Sequence, residues 1–170
     1  IILPGNYAAD AIHAWTGTTN SQISANTFTN IYDANHVARW SEVCGAIWLF
    51  DPASTAITDN IFDKTCQAIH VTARQNSHDL SILRNKITGT ARYDIEIQGP
   101  FSINNVLVNN NYIAQHQPGI NGQTGISVAV GGIGHQILNN TFLGPNENNR
   151  TNQSVAIEAM GSGFLIQGNI

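Results

Sequence analysis

Charged side chains are scarce in this chain. They make up 11% of the 170 residues, against roughly 25% in ordinary soluble domains. A helical bundle needs Lys, Glu and other helix formers on its solvent-facing positions, so this composition argues against one. The net charge of −4 and the lack of any Lys/Arg cluster exclude a phosphate-backbone binder, and no nucleic-acid partner is expected. No apolar run approaches the roughly 18 residues of a membrane-spanning helix, so no membrane partner is expected either.

Asparagine and isoleucine take the place of the missing charges. The sequence has 21 Asn and 22 Ile, together with 15 Gly. Ile, Val and Thr favour strands, whereas Asn and Gly favour the turns between them. The composition therefore predicts an all-β protein in which short strands alternate with turns.

One short pattern recurs along the chain: an aliphatic residue, two others, Asn, one other, then an aromatic residue or Ile. Complete copies occupy residues 23–28, 57–62, 82–87, 107–112 and 137–142, and the chain ends inside a further copy at residues 166–170. The asparagines of the copies are Asn26, Asn60, Asn85, Asn110, Asn140 and Asn169. Such a near-regular series indicates a repeat architecture.

A second pattern precedes each copy and reads as a short alternating strand with Ile at its second position. Its instances are residues 11–14, 46–49, 68–71, 94–97, 125–128 and 156–159. The two patterns alternate strictly. This order fits coils with fixed strands and variable connecting loops. A β-sandwich is the alternative fold, but it does not explain why the Asn keeps its place against both hydrophobic neighbours.

The tandem of these two patterns resembles the repeat of the right-handed parallel β-helix in the pectate-lyase-like superfamily, which includes polysaccharide lyases, glycoside hydrolases, epimerases, phage tailspikes and adhesins. The resemblance implies an all-β, right-handed parallel β-helix of about six coils, in which the repeated Asn stack as a structural ladder. The chain opens without an initiator Met and stops abruptly. We therefore expect residues 1–170 to be a single β-helix segment and a fragment of a longer chain.

Stacking equivalent strands predicts which side chains line up on the outside of the first strand. Parallel strands lie about 4.8 Å apart, so outward residues form a column along the helix. The predicted column is His13, Trp48, His70, Glu96, Ser127 and Glu158, and the next outward column is Trp15, Phe50, Thr72, Gln98, Ala129 and Met160. Exposed aromatic rings beside His and Glu favour a sugar-binding surface. The alternative is that Trp15, Trp48 and Phe50 lie under a covering loop.

Four residues are candidates for catalysis. His70 and Glu96 are neighbours in this register, and a His held by a carboxylate is suited to accept a proton. Arg74 and Arg92 lie next to these two strands, where a cation could neutralise a uronate carboxylate. The alternative is an ordinary surface His–Glu pair of under about 1 kcal/mol. Glu96 and Glu158 are two coils apart, about 9.6 Å, which an inverting hydrolase would permit.

The remaining candidates are expected to bind substrate: Trp48 and Glu158 of the column, and His36, Arg39 and Trp40 of the long loop at residues 29–45. The resemblance implies that such a loop walls a carbohydrate groove. The signature motifs of polygalacturonases, uronan C5-epimerases and pectate lyases are absent from this sequence. The six His show no zinc spacing, and there is no close Asp cluster for calcium, so no metal or cofactor is expected.

The functional hypothesis is a carbohydrate-active β-helix that acts on an acidic or acetylated polysaccharide, by lyase or epimerase chemistry in preference to hydrolysis. The alternative is a non-catalytic glycan-binding or structural shaft segment of a tailspike or adhesin. The expected partners are a polysaccharide and either flanking domains or further copies of the chain, three in the case of a tailspike.

The two cysteines bear on location. Cys44 and Cys66 each precede a strand Ile by three residues, so stacking would place their Cα atoms near the roughly 4.4–6.8 Å window of a disulfide. A bond would indicate an extracellular, cell-surface or virion-associated protein. The alternative is a stacked pair of reduced thiols.

Overall fold

The structure, a computed structural model, describes residues 10–15, 17–31, 45–114, 123–144 and 155–170. These residues form strands and turns and contain no helix, so none that could cross a membrane lies among them. The sixteen strands are β1 Ile12–Ala14, β2 Gln22–Ser24, β3 Thr27–Thr29, β4 Ile47–Phe50, β5 Ala53–Thr58, β6 Ile61–Asp63, β7 Ile69–Thr72, β8 Ser77–Leu83, β9 Lys86–Thr88, β10 Tyr93–Asn109, β11 Tyr112–Ala114, β12 Thr124–Gly131, β13 His135–Leu138, β14 Thr141–Leu143, β15 Val155–Ala159 and β16 Phe164–Gln167.

The strands stack in three parallel ladders. The first ladder contains β1, β4, β7, the first part of β10, β12 and β15. The second contains β2, β5, β8, the second part of β10, β13 and β16. The third contains β3, β6, β9, β11 and β14. Each of the first five turns thus contributes to all three ladders, and the last contributes β15 and β16 to the first two, which confirms the predicted class, an all-β parallel β-helix.

Alternation along the strands separates the core from the outer surface. In the first ladder, Ile47, Ile69, Ile95 and Ile126 are paired across neighbouring strands and are fully buried. The residues that follow them face the other way, in the order His13, Trp48, His70, Glu96, Ser127 and Glu158. The register predicted for this outward column is confirmed.

The bend between the second and third ladders has the same backbone conformation in every coil. Left-handed φ angles occur at Ala25, Asp59, Arg84, Asn110, Asn139 and Gly168. The residue after each of them is the ladder asparagine. A left-handed residue turns the chain sharply enough for two strands to meet at this corner, and a non-glycine residue adopts it only where the surroundings impose it.

The asparagine ladder runs through Asn26, Asn60, Asn85, Asn111, Asn140 and Asn169. The side-chain amide of Asn85 donates from Nδ2 to Asn111 Oδ1 at 3.0 Å and to the Ile57 carbonyl at 3.0 Å. The prediction of Asn110 as the ladder member was wrong. Val108 pairs with Ile82 and faces the core, so the repeat in this coil starts at Val108, one residue later than predicted, and Asn110 takes the left-handed position.

The structure has Cys66 buried and disulfide-bonded. The chain has one other cysteine, Cys44, which lies outside the described residues. Because Cys66 precedes β7 by three residues, the bond anchors the chain where it enters the first ladder.

Candidate functional site

The outer face of the first ladder has a buried polar network centred on His70. The Nδ1 atom of His70 lies 3.0 Å from Glu96 Oε2 and 3.0 Å from Gln67 Oε1, and Gln67 Nε2 donates to the same Glu96 oxygen at 2.8 Å. The predicted adjacency of His70 and Glu96 is therefore confirmed. Neither side chain points into the apolar core, yet His70 is fully buried and Glu96 nearly so.

The other nitrogen of His70 is also engaged. His70 Nε2 lies 2.9 Å from Thr72 Oγ1 and 3.3 Å from Gln98 Nε2. Acceptors surround Nδ1, whereas a hydroxyl and an amide N–H face Nε2, so a proton on Nδ1 satisfies both sides of the ring. A free lone pair on Nε2 is what a general base would present to substrate. Here Thr72 and Gln98 occupy that position.

Trp48 connects this network to an aromatic cluster. Its indole Nε1 donates to Thr72 Oγ1 at 3.2 Å, and its ring meets His70 edge-on with centroids 5.4 Å apart. On its other side it packs against His13 at 4.7 Å. His13 Nδ1 lies 3.0 Å from Asp10 Oδ2, and burial raises the pKa of the Asp10 carboxyl above its ordinary value despite this partner.

The aromatic cluster ends in an exposed indole. Trp15 is 61% exposed and stacks on the fully buried Phe50, with centroids 5.0 Å apart and an interplanar angle of 5°. The guanidinium carbon of Arg74 lies 3.8 Å from the centre of the Phe50 ring and 5.3 Å from that of Trp15. These three residues are called the aromatic platform below. The sequence left two alternatives for these aromatic residues, exposure to solvent or burial. Trp15 is exposed, whereas Phe50 is buried.

Arg74 owes its place to a buried carboxylate. Asp51 Oδ1 accepts hydrogen bonds from the backbone N–H groups of both Arg74 and Gln75. Asp51 itself has a left-handed backbone and is buried directly after β4. The turn that ends β7 is thereby fixed, and the Arg74 side chain can lie flat on the rings. Attraction between a guanidinium and an aromatic face adds to this contact.

The far end of the column contains a second acidic group. Ser127 Oγ donates to Glu158 Oε2 at 2.8 Å. Burial raises the pKa of the Tyr93 phenol, and the nearby carboxylates of Glu96 and Glu158 raise it further, while Arg92 lowers it. Arg92 is buried directly before β10. Glu96, Glu158 and Arg92 are therefore all close enough to Tyr93 to affect its pKa.

The structure therefore divides the predicted site residues into three groups. Trp48, His70 and Glu96 share one network, Arg74 belongs to the aromatic platform, and Arg92 and Glu158 lie near Tyr93. His36, Arg39 and Trp40 lie outside the described residues.

Three residues of the network were given no role from the sequence: Gln67, which was not identified at all, and Thr72 and Gln98. Thr72 and Gln98 occupy the second outward column, and that register was the signal that could have identified them. Within the described ranges, no group of three His, Cys, Asp or Glu side chains could hold a metal ion.

Comparisons with protein-family models, with curated proteins and with solved structures gave no match to this chain.

Proposed function

We propose that the aromatic platform binds an acidic glycan and that the protein acts as a glycan-binding β-helix. The observation that carries this proposal is the 61% exposed Trp15 indole, held parallel to the buried Phe50 ring. Isolated exposed apolar residues are common on protein surfaces, but this one is fixed in position by a stack and accompanied by a cation. A ligand that uses both features needs an apolar face and a negative charge.

A uronic acid unit has both features. The C–H face of a pyranose ring packs on an indole, and the carboxylate is a partner for the guanidinium of Arg74. The rings and the arginine are already in contact with one another, so little side-chain freedom is lost on binding. Within the described residues no ion pair involves Arg74, which leaves its charge available.

Lyase or epimerase chemistry is the second candidate, and the His70–Glu96 contact at 3.0 Å favours it. An imidazole with a carboxylate behind Nδ1 has the arrangement of a general base. Its burial and the occupation of Nε2 by Thr72 and Gln98 are why we rank binding first. Catalysis would require a substrate to displace both of those partners.

The disulfide at Cys66 supports a location in an oxidising compartment, which is where glycan-binding proteins of the cell surface, virions and secretions occur. Extracellular or virion-associated location is part of this proposal, and so is assembly into trimers if the chain belongs to a tailspike shaft.

The test is affinity electrophoresis on gels that contain polygalacturonate, alginate, an acetylated pectin or a neutral glucan. We expect retardation by at least one acidic polymer and not by the glucan. Trp15→Ala should weaken binding by about ten-fold or more, because it removes the apolar contact. Tyr112→Ala is the matched control, since Tyr112 is also an exposed aromatic residue but belongs to the third ladder. Equal retardation of wild type and Trp15→Ala would contradict the proposal.

The same incubations distinguish the two candidates. A lyase generates an unsaturated uronate that absorbs in the ultraviolet, whereas a binder leaves the polymer intact. If the wild type forms product, His70→Gln does not and Trp15→Ala still does, lyase or epimerase chemistry would rank above binding.

A further inference from the structure

Exposed apolar side chains continue beyond the aromatic platform along one corner of the molecule. The turn from the first to the second ladder carries Trp15, Phe101, Ile133 and Met160, which are 61%, 45%, 72% and 57% exposed. Trp15 follows β1, Phe101 lies between the two parts of β10, Ile133 separates β12 from β13, and Met160 separates β15 from β16. Together with Arg74 they are called the corner surface below.

We infer that the corner surface binds one extended polysaccharide chain that lies parallel to the helix axis, with the aromatic platform at one end of the binding site. This inference rests on the proposed function and extends it from a single sugar contact to a site for several consecutive units. It assigns a binding role to Phe101, Ile133 and Met160.

The dimensions of the corner surface favour a linear polymer. Trp15 and Met160 are separated by five strand spacings of the first ladder, so the surface is about 24 Å long. It is only one or two side chains wide, about 10 Å, which gives roughly 240 Å². A stable protein–protein interface buries about 800 Å² on each partner, so a second copy of the chain would be held poorly by this surface alone.

The polar groups between the apolar residues fit the same ligand. Gln75, Asn76 and Asn104 are exposed at this corner, and an amide can both donate to and accept from a sugar hydroxyl. Asn76 Oδ1 accepts from the Ser102 N–H and Asn104 Oδ1 accepts from the Ile133 N–H, so a backbone hydrogen bond holds each side chain in place. The Asp51 carboxylate is buried, whereas Arg74 is exposed at this corner.

The experiment is calorimetric titration with size-fractionated oligogalacturonates and alginate oligomers, from the dimer through the tetramer to the octamer. We expect affinity to rise with length until the oligomer spans the corner. Phe101→Ala and Ile133→Ser should weaken octamer binding by about five-fold each and leave dimer binding unchanged. Trp15→Ala should weaken binding at every length, and Tyr112→Ala at none. Thermal unfolding of each variant confirms that it folds.

The outcomes separate this inference from the proposed function. If Trp15→Ala loses binding while Phe101→Ala and Ile133→Ser bind the octamer as the wild type does, the platform stands and the extended site is wrong. If no oligomer binds, both fail. A concentration-dependent dimer in sedimentation that Phe101→Ala abolishes would reassign the corner surface to contact between copies and overturn the inference.

Discussion

At the scale of single residues, the ladder asparagines show how a polar side chain stabilises the interior of this fold. Asn111 donates from Nδ2 to Asn140 Oδ1 at 3.0 Å and to the Ile82 carbonyl at 2.9 Å. Its own Oδ1 accepts from both the backbone N–H and the Nδ2 of Asn85. All hydrogen-bonding capacity of the amide is therefore used, which is what burial of a polar group requires.

Adjacent asparagines provide a matched test of this ladder. Asn111→Ala should destabilise the fold by about 1–3 kcal/mol, because it leaves buried partners of the amide unpaired. Asn110→Gly should be close to neutral, because Asn110 is exposed and has a left-handed φ of 56°, which glycine adopts readily. Urea unfolding of the two variants measures the difference. If Asn110→Gly were the more damaging change, the corrected register would be wrong.

His135 predicts a pH dependence of stability. It is buried at the start of β13 against Phe164, at a centroid distance of 4.9 Å, and burial lowers its pKa from the ordinary 6.5. Below pH 6.5 His135 is mostly protonated in the unfolded chain. In the folded chain it becomes protonated only at a lower pH. The free energy of unfolding is therefore not reduced by His135 above pH 6.5, and it decreases as the pH falls below that value.

Replacing His135 should remove this decrease in the free energy of unfolding at low pH. His135→Leu is expected to have a flatter dependence of unfolding free energy on pH between about pH 7 and pH 5 than the wild type. Identical pH profiles for wild type and His135→Leu would show that His135 titrates equally in both states.

At the scale of elements, β10 shows what the repeat does and does not predict. The repeat identified the two parts of this strand that belong to the first and second ladders, with Ile95 at the predicted core position in the first and Val108, one residue later than predicted, in the second. It did not predict that the strand continues through the corner between them. That continuity depends on Gly99, which departs from the repeat, and on a local shift of register between Gln98 and Ser102.

Gly99 is required at this corner for a steric reason. Its φ is +141°, and a Cβ atom there would lie 2.3 Å from the Ala73 carbonyl oxygen of the neighbouring coil. Gly99→Ala should therefore destabilise the protein by about 1–3 kcal/mol or more in chemical unfolding. The control is Gly144→Ala, where a Cβ atom would meet nothing within 4 Å. Equal stability of the two variants would contradict the close approach of the coils at Gly99.

The candidate site was only partly predictable at this scale. The alternation of side chains along each strand predicted which residues face away from the core, and it placed Trp48, His70 and Glu96 in one column. It could not tell which of these would be buried by neighbours on the outer face. His70 is enclosed because Gln67, Thr72, Gln98 and Trp48 surround it, whereas Trp15, at the end of the cluster, stays open.

At the scale of the whole molecule, the fold was accessible from sequence because each coil repeats the same local rules. A strand with alternating burial, a left-handed bend and a hydrogen-bonded Asn recur in register, and each repeat buries its apolar face on the next. One error arose where three asparagines follow one another at positions 109–111, since any of them could satisfy the pattern until the core position of Val108 is known.

A binding site is formed by side chains that differ between equivalent positions of the coils. A repeat pattern describes only what the coils share. Trp15 and Phe50 are equivalent to Thr72 and Gln98 in later coils, yet only the first two form a ring stack. In the proposed function, the exposed Trp15 ring of that stack contacts a sugar. The most direct test of this contact is a solution measurement on Trp15 itself.

The measurement is the indole N–H resonance of Trp15 in a ¹⁵N-labelled protein, assigned by its absence in Trp15→Phe and followed during titration with the acidic oligosaccharide that the gels select. The chain has three tryptophans, so the other two indoles serve as internal references. We predict that the Trp15 resonance shifts in a saturable way and that the Trp48 resonance, whose N–H is bonded to Thr72, moves less. An unchanged Trp15 resonance under saturating oligosaccharide would contradict the claim.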